Sequence, residues 1–450
     1  MFYHKKINCI PIDAIIVISL SLWLLVEAGI GILQVLGIQE SNNPIFILTG
    51  HFINPGPYGG FIATLVAICS SFYFSNKSTT SKWSTTTKYL AGFAATVGII
   101  ILPSSMSRAS WLGLFAALLL FCYKRQDLVK SFCIRHRWVI PFVTILALTL
   151  GAGSFLLKRD SALGRLHIWN IECRIISKHP ITGIGRGKFA YEYGMEQARF
   201  FREKERSKTT IRIAGCPEYA FNEYLKAGVE FGVIGLILSI IITITCCVIL
   251  TKKEHPLGYG CVVLAVFAFF SYPMEFWPFQ FLAIVMVTGA FGILLHKYNW
   301  AQFPIICALF ICITVNNGID REKDSFRTLY QQGHVLFLNG YYKEALPILE
   351  QGSKISSDPM FHNIMGQCYV FLGNTAEAEQ EFMLAHYMVP CRLYPLVLLQ
   401  ELYISQADTM NAKKIESIIK ETPINPRNEN MKKLLRRAEE NMLSIDSKSE

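Results

Sequence analysis

Long apolar runs fill most of this sequence, and one polar segment, residues 158–228, divides them into two groups. A run of roughly 20 apolar residues is long enough to cross a bilayer as a helix. Only 17% of the residues are charged, whereas soluble domains usually contain about 25%. These features predict an all-α fold, a polytopic helical membrane bundle, and argue against an ordinary soluble domain.

We predict nine membrane spans and five domains from this pattern. The first span contains Glu27 and lacks a small-residue cleavage site, so we interpret it as a retained span rather than a signal peptide. The spans lie at about 12–35, 58–75, 88–104, 109–123, 138–157, 229–250, 257–272, 278–295 and 301–317. The domains are N-terminal spans (1–157), a large loop (158–228), C-terminal spans (229–317), repeats (322–440) and a polar tail (441–450).

The distribution of Lys and Arg predicts the orientation of the spans. With a cytoplasmic N-terminus, the short inside segments are rich in Lys and Arg, whereas the short outside segments contain only Arg108. The large loop and the C-terminal repeats then lie outside the membrane. Because Lys and Arg cluster in such cytoplasmic segments, the net charge of +10 does not by itself imply nucleic acid. We expect contacts with membrane lipids and no nucleic-acid partner.

The cysteines and glycines indicate neither a metal site nor a nucleotide cofactor. The 13 cysteines show no metal-binding spacing, and GIGRGKF at 183–189 matches no nucleotide-binding motif, which makes it a turn between two segments. We therefore expect no metal and no cofactor. Cys173 and Cys216 share the large loop and would form a disulfide if that side of the membrane is oxidising.

Residues from about 322 onwards repeat with a period of 33 to 34. The same residue types recur one period later, and Ala412 follows Ala378 after a further period. The corresponding residues are Gly333 and Gly366, Gly340 and Gly373, and Ala345 and Ala378. This pattern resembles the tetratricopeptide repeat, in which stacked helix pairs need small residues where the helices cross. An unrelated array of helical hairpins is the alternative. Either reading indicates a module that binds protein partners or an acceptor.

Two arginines at predicted membrane boundaries are candidates for binding a diphosphate. Arg108 lies in PSSMSRASW between two spans, and an arginine at the edge of a bilayer usually pairs with an anion or serves function. Arg165 lies in GRLHIW, and its guanidinium group suits phosphate oxygens. The alternatives are a side chain that reaches the interface for Arg108 and a solvated charge for Arg165.

The segment CPEYAFNEYLKAGVE, at 216–230, supplies candidates for acid–base chemistry. On a helix, Glu218 and Asn222 would share one face, and Glu218 or Glu223 would act as a general base if burial raised its pKa. The alternative is that these residues cap the helix and interact with its dipole. His51, Asn54 and Arg186 are further candidates for the mouth of the site, although NPGP at 54–57 also fits a turn before a helix.

Taken in order, these motifs resemble the O-antigen ligase and polymerase family of bacterial glycosyltransferases, and most closely the Bacteroidetes-type members with C-terminal tetratricopeptide repeats. The correspondence runs through VEAGIGILQVLG, GHFINPGPYGGF, SRASW, GRLHIW, KHPITGIGRGKFAYEY and AFNEYLKAGVEFGVIG. The resemblance implies a multi-pass protein of the bacterial inner membrane. It also implies transfer of a glycan from undecaprenyl diphosphate to a lipid or protein acceptor, without a metal, with Arg108 and Arg165 holding the diphosphate.

The sequence departs from the family pattern where the family has a histidine, in a motif of the form His-Asn-x-x-Leu. Here the motif reads Phe221-Asn222-Glu223-Tyr224-Leu225, so the expected base is absent. The first span also corresponds to the middle of the usual bundle, which is expected of a compact subfamily, a mis-assigned start or a remnant gene. A glycan polymerase, a protein O-oligosaccharyltransferase, a non-catalytic scaffold that presents the repeats, and a transporter are the alternative functions.

Overall fold

The computed structural model describes residues 12–75, 82–126, 135, 159–294, 326–423 and 428–449, and the regular structure in these ranges is helical without strands. The predicted all-α class is therefore confirmed for the described part of the chain. The chain forms two compact units. The first comprises residues 1–154, 221–224 and 238–315, and the second comprises 155–220, 225–237 and 316–450.

The first unit is an apolar helical bundle around α2. Its helices are α1 (Ile12–Val35), α2 (Pro55–Tyr73), α3 (Lys82–Ile101), α4 (Arg108–Lys124), the second part of α8 (Glu223–Lys252), α9 (Leu257–Phe270) and α10 (Trp277–Leu294). Residues from Tyr58 to Cys69 in α2 are buried. Glycines allow this close packing, because a Cβ atom on Gly60 would lie 2.3 Å from the ring of Phe267.

Within the described residues, four helices are long and apolar enough to cross a membrane, judged by length and composition: Ala14–Val35, Thr85–Ser105, Glu223–Lys252 and Trp277–Leu294. The predicted spans at 58–75, 109–123 and 257–272 coincide with α2, α4 and α9. The predicted spans at 138–157 and 301–317 lie outside the described residues. The total of nine spans therefore stays a prediction.

The second unit begins with the large polar loop, which is itself helical. It contains α5 (Arg159–Lys178), α6 (Phe189–Glu203), α7 (Lys208–Ile213) and the first part of α8. A small apolar core, which includes Ile171, Ile175, Tyr193 and Val229, joins α5, α6 and the first part of α8.

Three consecutive helix pairs and a final helix complete the second unit. The pairs are α11 (326–338) with α12 (Tyr342–Ser353), α13 (Met360–Phe371) with α14 (Thr375–Met388), and α15 (Tyr394–Ser405) with α16 (Thr409–Glu421), followed by α17 (Glu429–Ser449). The second helices of the pairs begin at 342, 375 and 409, which is the period of the sequence repeat. A Cβ atom on Gly333 would meet Leu349, and one on Gly366 would meet Phe382. Small residues therefore lie where the helices cross, as expected, although membership of the tetratricopeptide class stays a prediction.

The turns within the pairs share one backbone geometry. Gly340, Gly373 and Ala407 all have left-handed φ angles, of 81°, 84° and 59°. In each turn the next amide donates to a carbonyl five residues earlier, as in Tyr341 to Leu336, which is the Schellman ending of a helix. The third pair therefore keeps the turn of the first two although alanine replaces glycine there.

The large loop and the repeats pack directly against each other within the second unit. Gln197 of α6 is buried and donates to the carbonyl oxygens of Gly215 and Met388. Arg392 donates to Asp358 at 2.6 Å and to the Cys216 sulfur at 3.2 Å. The predicted loop and repeat regions thus share one folded body.

Candidate functional site

Arg108 is the first residue of α4, and its backbone lies beside the first turn of α2. Met106, with a left-handed φ of 48°, turns the chain into this helix. The hydroxyl of Ser107 donates to the carbonyl oxygen of Gly56 at 3.4 Å, and Gly59 approaches Ser105 so closely that a Cβ atom there would lie 2.5 Å from its hydroxyl. These contacts place the half-buried Arg108 at the N-terminal end of α2, where the helix dipole favours anions.

Asn54 lies at the same end of α2 and acts as its N-cap. Its side-chain oxygen accepts from the amide of Gly56 at 2.9 Å, and Pro55 occupies the first helical position, where proline is favoured. NPGP was predicted to be a turn before a helix, but it is the start of α2 itself, because Pro55, Gly56 and Pro57 are already helical. Asn54 supports the candidate site by fixing the start of α2.

His51 pairs with Glu27, a contact that the sequence did not indicate. The Nδ1 atom of His51 lies 2.7 Å from Oε1 of Glu27. The side chain of His51 is 63% exposed, whereas that of Glu27 is only 4% exposed. A buried carboxylate of α1 thus holds an accessible imidazole in place.

The loop that carries His51 is fixed by further polar contacts to α1 and to itself. The side-chain oxygen of Gln34 accepts from the amides of Thr49 and Gly50, at 2.9 and 2.8 Å. Asn42 donates to the carbonyl oxygens of Gly50 and Phe52. The imidazole is therefore presented from an ordered segment.

Arg165 belongs to the second unit, on α5. Two residues later, His167 is buried, and its Nε2 atom lies 2.9 Å from the side-chain oxygen of Gln197. Burial lowers the pKa of His167, and the nearby Arg206 lowers it further, against the opposing hydrogen bond with Gln197. A neutral His167 thus anchors α5 to α6 and leaves Arg165 half-buried on the helix.

The glycine-rich segment GIGRGKF forms a turn, as predicted. This turn is hydrogen-bonded to α8 where that helix is interrupted. The amide of Gly185 donates to the carbonyl oxygen of Glu230, and the amide of Gly187 donates to its carboxylate. On the other side, α8 is interrupted at Gly232 (φ 71°), and the amide of Val233 donates to the carbonyl oxygen of Pro180. Arg186 lies between the two bonded glycines, so its backbone position is fixed.

The structure corrects the prediction for Glu218, Asn222 and Glu223. Residues 214–222 are not helical, so the expectation that Glu218 and Asn222 share a helix face is wrong. Helix α8 begins only at Glu223, because Asn222 caps it by accepting from the amide of Tyr224 at 3.0 Å. The capping alternative therefore describes Asn222.

The two carboxylates of this segment have structural partners. Oε1 of Glu223 accepts from the amide of Met274 at 2.7 Å. Glu218 is exposed, and one of its oxygens lies 3.9 Å from the guanidinium group of Arg327. At the position of the family histidine, Phe221 adopts a left-handed φ of 50° and packs against the ring of Tyr272.

The candidate residues fall into two sets. His51, Asn54 and Arg108 gather at the N-terminal end of α2 in the first unit, whereas Arg165, Arg186 and Glu218 lie in the second unit. Sequence reasoning missed Glu27 as a partner. The available signal was an acidic residue inside an apolar run of membrane length, since such residues are costly there and usually functional.

Cys173 and Cys216, the candidate disulfide pair, are not bonded to each other in the structure. Cys173 and Cys216 are both free thiols, and burial raises the pKa of Cys216 to about 12, with Asp358 adding to the effect. Among the described residues, no cluster of His, Cys, Asp and Glu side chains has the arrangement of a metal site.

Comparison with known proteins assigns a family to the central part of the chain. A family model described as O-antigen ligase matches residues 91–240, which include α4, the helical loop and the first part of α8. No curated protein and no solved structure matches the chain. The matched segment contains Arg108, Arg165 and Arg186 in the motifs that carry the resemblance. Residues 91–240, about a third of the chain, are therefore similar to the O-antigen ligase family.

Proposed function

We propose that this protein transfers a glycan from undecaprenyl diphosphate to a hydroxyl group of a lipid or protein acceptor on the periplasmic face of the bacterial inner membrane. The family match over residues 91–240 carries this proposal. The apolar helices support a membrane location. The charge asymmetry of the connecting segments supports a periplasmic position for the loop and the repeats.

Arg108 and Arg165 hold the diphosphate in this proposal. Loss of the glycan from undecaprenyl diphosphate leaves negative charge on the leaving oxygen, and fixed positive charge stabilises that oxygen in the transition state. The position of Arg108 beside the N-terminal turn of α2 supports its role, because the helix dipole adds to the positive potential there. Arg186, in the large loop, is the third arginine of the proposal and would contact the glycan or the diphosphate.

The acceptor side of the site has a revised set of roles. Asn222 and Glu223 hold the start of α8 through their backbone partners, so they position the segment. Glu218 is exposed, and in this proposal it orients the acceptor. The repeats bind the acceptor or an assembly partner, which is the usual use of stacked helix pairs.

Substitution of Arg108 and Arg165 tests the proposed function. We expect Arg108→Ala and Arg165→Ala each to reduce transfer by about 100-fold, the effect typical of removing one transition-state donor. Surface glycan is measured by gel in the native host lacking the chromosomal gene, together with accumulated lipid-linked glycan. Arg125→Ala is the matched control, because Arg125 follows the opposite end of α4 and pairs with Glu254 at 3.4 Å.

The same experiment separates the enzyme from a scaffold. An enzyme loses surface glycan and accumulates its lipid-linked precursor in both arginine variants at normal expression, while the Arg125 variant keeps wild-type levels. A scaffold that only presents the repeats keeps its glycan ladder in all three variants. That second outcome would contradict the proposed function.

A further inference from the structure

We propose that His51, oriented by Glu27, is the general base that accepts the proton of the acceptor hydroxyl. This inference rests on the proposed function and supplies the base that the sequence lacks at Phe221. It starts from the pairing of His51 with Glu27, in which one imidazole nitrogen meets a carboxylate oxygen at 2.7 Å.

The geometry leaves the second imidazole nitrogen available for chemistry. When Nδ1 donates its proton to Glu27, Nε2 carries the lone pair. The side chain of His51 is largely exposed although its partner is buried, so Nε2 is reachable from outside the protein. An accessible base oriented by a third, buried group is the arrangement by which enzymes activate a hydroxyl.

The burial of the Glu27 carboxylate in an apolar helix costs free energy, which argues that this residue has a function. It belongs to α1, a helix long and apolar enough to span a membrane, and it is almost completely buried. Acidic residues in such helices are expensive and usually serve binding or proton transfer. The backbone of α1 is also held at this residue, since the Tyr58 hydroxyl donates to the main-chain carbonyl oxygen of Glu27 at 3.2 Å.

The backbone around His51 is shaped to bring the two groups together. Gly50 has a left-handed φ of 57°, and a Cβ atom there would lie 2.4 Å from the ring of Tyr58 and 2.9 Å from Oε2 of Glu27. A larger residue would push the loop away from α1. Gln34 holds the same turn through the amides of Thr49 and Gly50.

The position of the pair fits the reaction, because it lies at the same end of α2 as Arg108. His51 precedes the N-cap Asn54 by three residues, and Ser107, next to Arg108, contacts Gly56 in the first turn of α2. A base and a cation for the leaving group thus adjoin one helix end in the first unit.

The proton transfer to His51 accompanies the transfer of the glycan. Nε2 of His51 takes the proton of the acceptor hydroxyl while the acceptor oxygen forms a bond to the anomeric carbon of the glycan. The bond from that carbon to the diphosphate oxygen breaks, and its electron pair stays on the diphosphate. The carboxylate of Glu27 stabilises the imidazolium that forms, as the aspartate does in a serine protease triad.

Chemical rescue separates catalysis by His51 from a purely structural pairing. The assay uses purified full-length protein with lipid-linked glycan and acceptor extracted from the deletion host. We expect His51→Gly to lower kcat by about 100-fold or more, the usual contribution of a general base. Added imidazole, which fits the vacated space, should raise the kcat of this variant by about tenfold.

Two further variants keep the loop in place while changing the chemistry. His51→Asn retains an N–H donor near the position of Nδ1 and removes Nε2, so it should fold normally and remain inactive. Glu27→Gln retains the size of the side chain and removes its charge, and should lower kcat with little change in KM. His255→Ala is the control, because that ring accepts the amide of Leu257 in the turn between α8 and α9 and has no role in the proposed reaction, so the variant should keep wild-type kcat.

The outcomes distinguish this inference from the proposed function. If Arg108→Ala and Arg165→Ala lose transfer but His51→Asn keeps it, the base assignment is wrong and the function stands. If none of these variants loses transfer, the function itself is wrong. A folded, inactive His51→Gly protein that imidazole does not reactivate would also overturn the role of His51.

Discussion

Gly183 and Gly185 lie two residues apart in the turn that contacts α8, and both have left-handed φ angles, of 63° and 87°. Their surroundings differ. A Cβ atom on Gly183 would lie 2.4 Å from the carbonyl carbon of Glu230, whereas a Cβ atom on Gly185 would meet nothing within 4 Å. Gly183 is therefore required for close backbone packing, and Gly185 only for its backbone conformation.

This difference predicts unequal effects of the same substitution. We expect Gly185→Ala to cost about 1 kcal/mol, from the left-handed conformation alone. Gly183→Ala should cost about 2 kcal/mol more, because the backbone of α8 must move to relieve the overlap. Thermal unfolding of the two purified variants measures the difference, and equal melting temperatures would show that the turn does not press on α8.

At the scale of elements, the sequence predicted helix positions well and failed where the chain leaves a helix irregularly. The seven predicted spans that lie in described ranges coincide with helices, because apolar runs of this length satisfy their backbone polar groups only as helices. The helix that Glu218 and Asn222 were expected to share is absent, because residues 214–222 are not helical. There, Phe221 adopts a left-handed φ angle, and the side chain of Asn222 accepts a hydrogen bond from the backbone amide of Tyr224. Local sequence patterns predict such backbone conformations poorly.

The candidate site was predicted only in part for the same physical reason. Motifs identified single residues such as Arg108 and His51, since each stands out in its own segment. The pairing of His51 with Glu27 joins residues 24 positions apart, and it depends on the path of the intervening loop. That path is set by contacts of Gln34 and Asn42 which no periodicity displays.

Glu196 joins α5 to α6, and its ion pairs determine how the stability of this helix pair depends on pH. Its side chain is 1% exposed and accepts from Arg174 at 2.9 Å and from Arg199 at 3.1 Å, with Lys178 as a third partner. Burial alone would raise the pKa of Glu196, but the hydrogen bonds from Lys178, Arg174 and Arg199 outweigh it and hold the pKa below its ordinary value. A lowered pKa means that the stabilisation is present above the unfolded value, about 4.3 for glutamate, and is lost as the pH falls through the folded value.

We expect Glu196→Gln to lower the free energy of unfolding by about 1–3 kcal/mol at pH 7, because hydrogen bonds from charged groups contribute that much. The gap between the two proteins should close as the pH falls below about 4. Melting temperatures from pH 7 to pH 3 measure it. Glu203→Gln is the control, since Glu203 is half exposed and also bonds to Arg174, and it should change stability less. A gap that stays constant down to pH 3 would contradict an ionised Glu196.

At the scale of the whole molecule, the large loop and the repeats cannot be treated as separable parts. Ala198 of α6 shares a buried apolar cluster with Met388 and Val389 at the end of α14. Removal of residues 322–450 would expose this face of α6 and leave the donors of Gln197 without one of their acceptors. Loss of function after such a truncation would therefore report damage to the loop, and it would not distinguish a scaffold from an enzyme.

A single buried side chain tests this unity without truncation. Gln197 accepts from the hydroxyl of Tyr193 at 2.7 Å, pairs with His167, and donates to Gly215 and to Met388 across the contact. Gln197→Ala leaves buried polar groups unsatisfied on both sides, so we expect a loss of about 3 kcal/mol and faster proteolysis of both the loop and the repeats. Gln380→Ala on the exposed face of α14 is the matched control and should behave as wild type. Faster cleavage of the repeats alone, with the loop still protected, would show that the two regions fold independently.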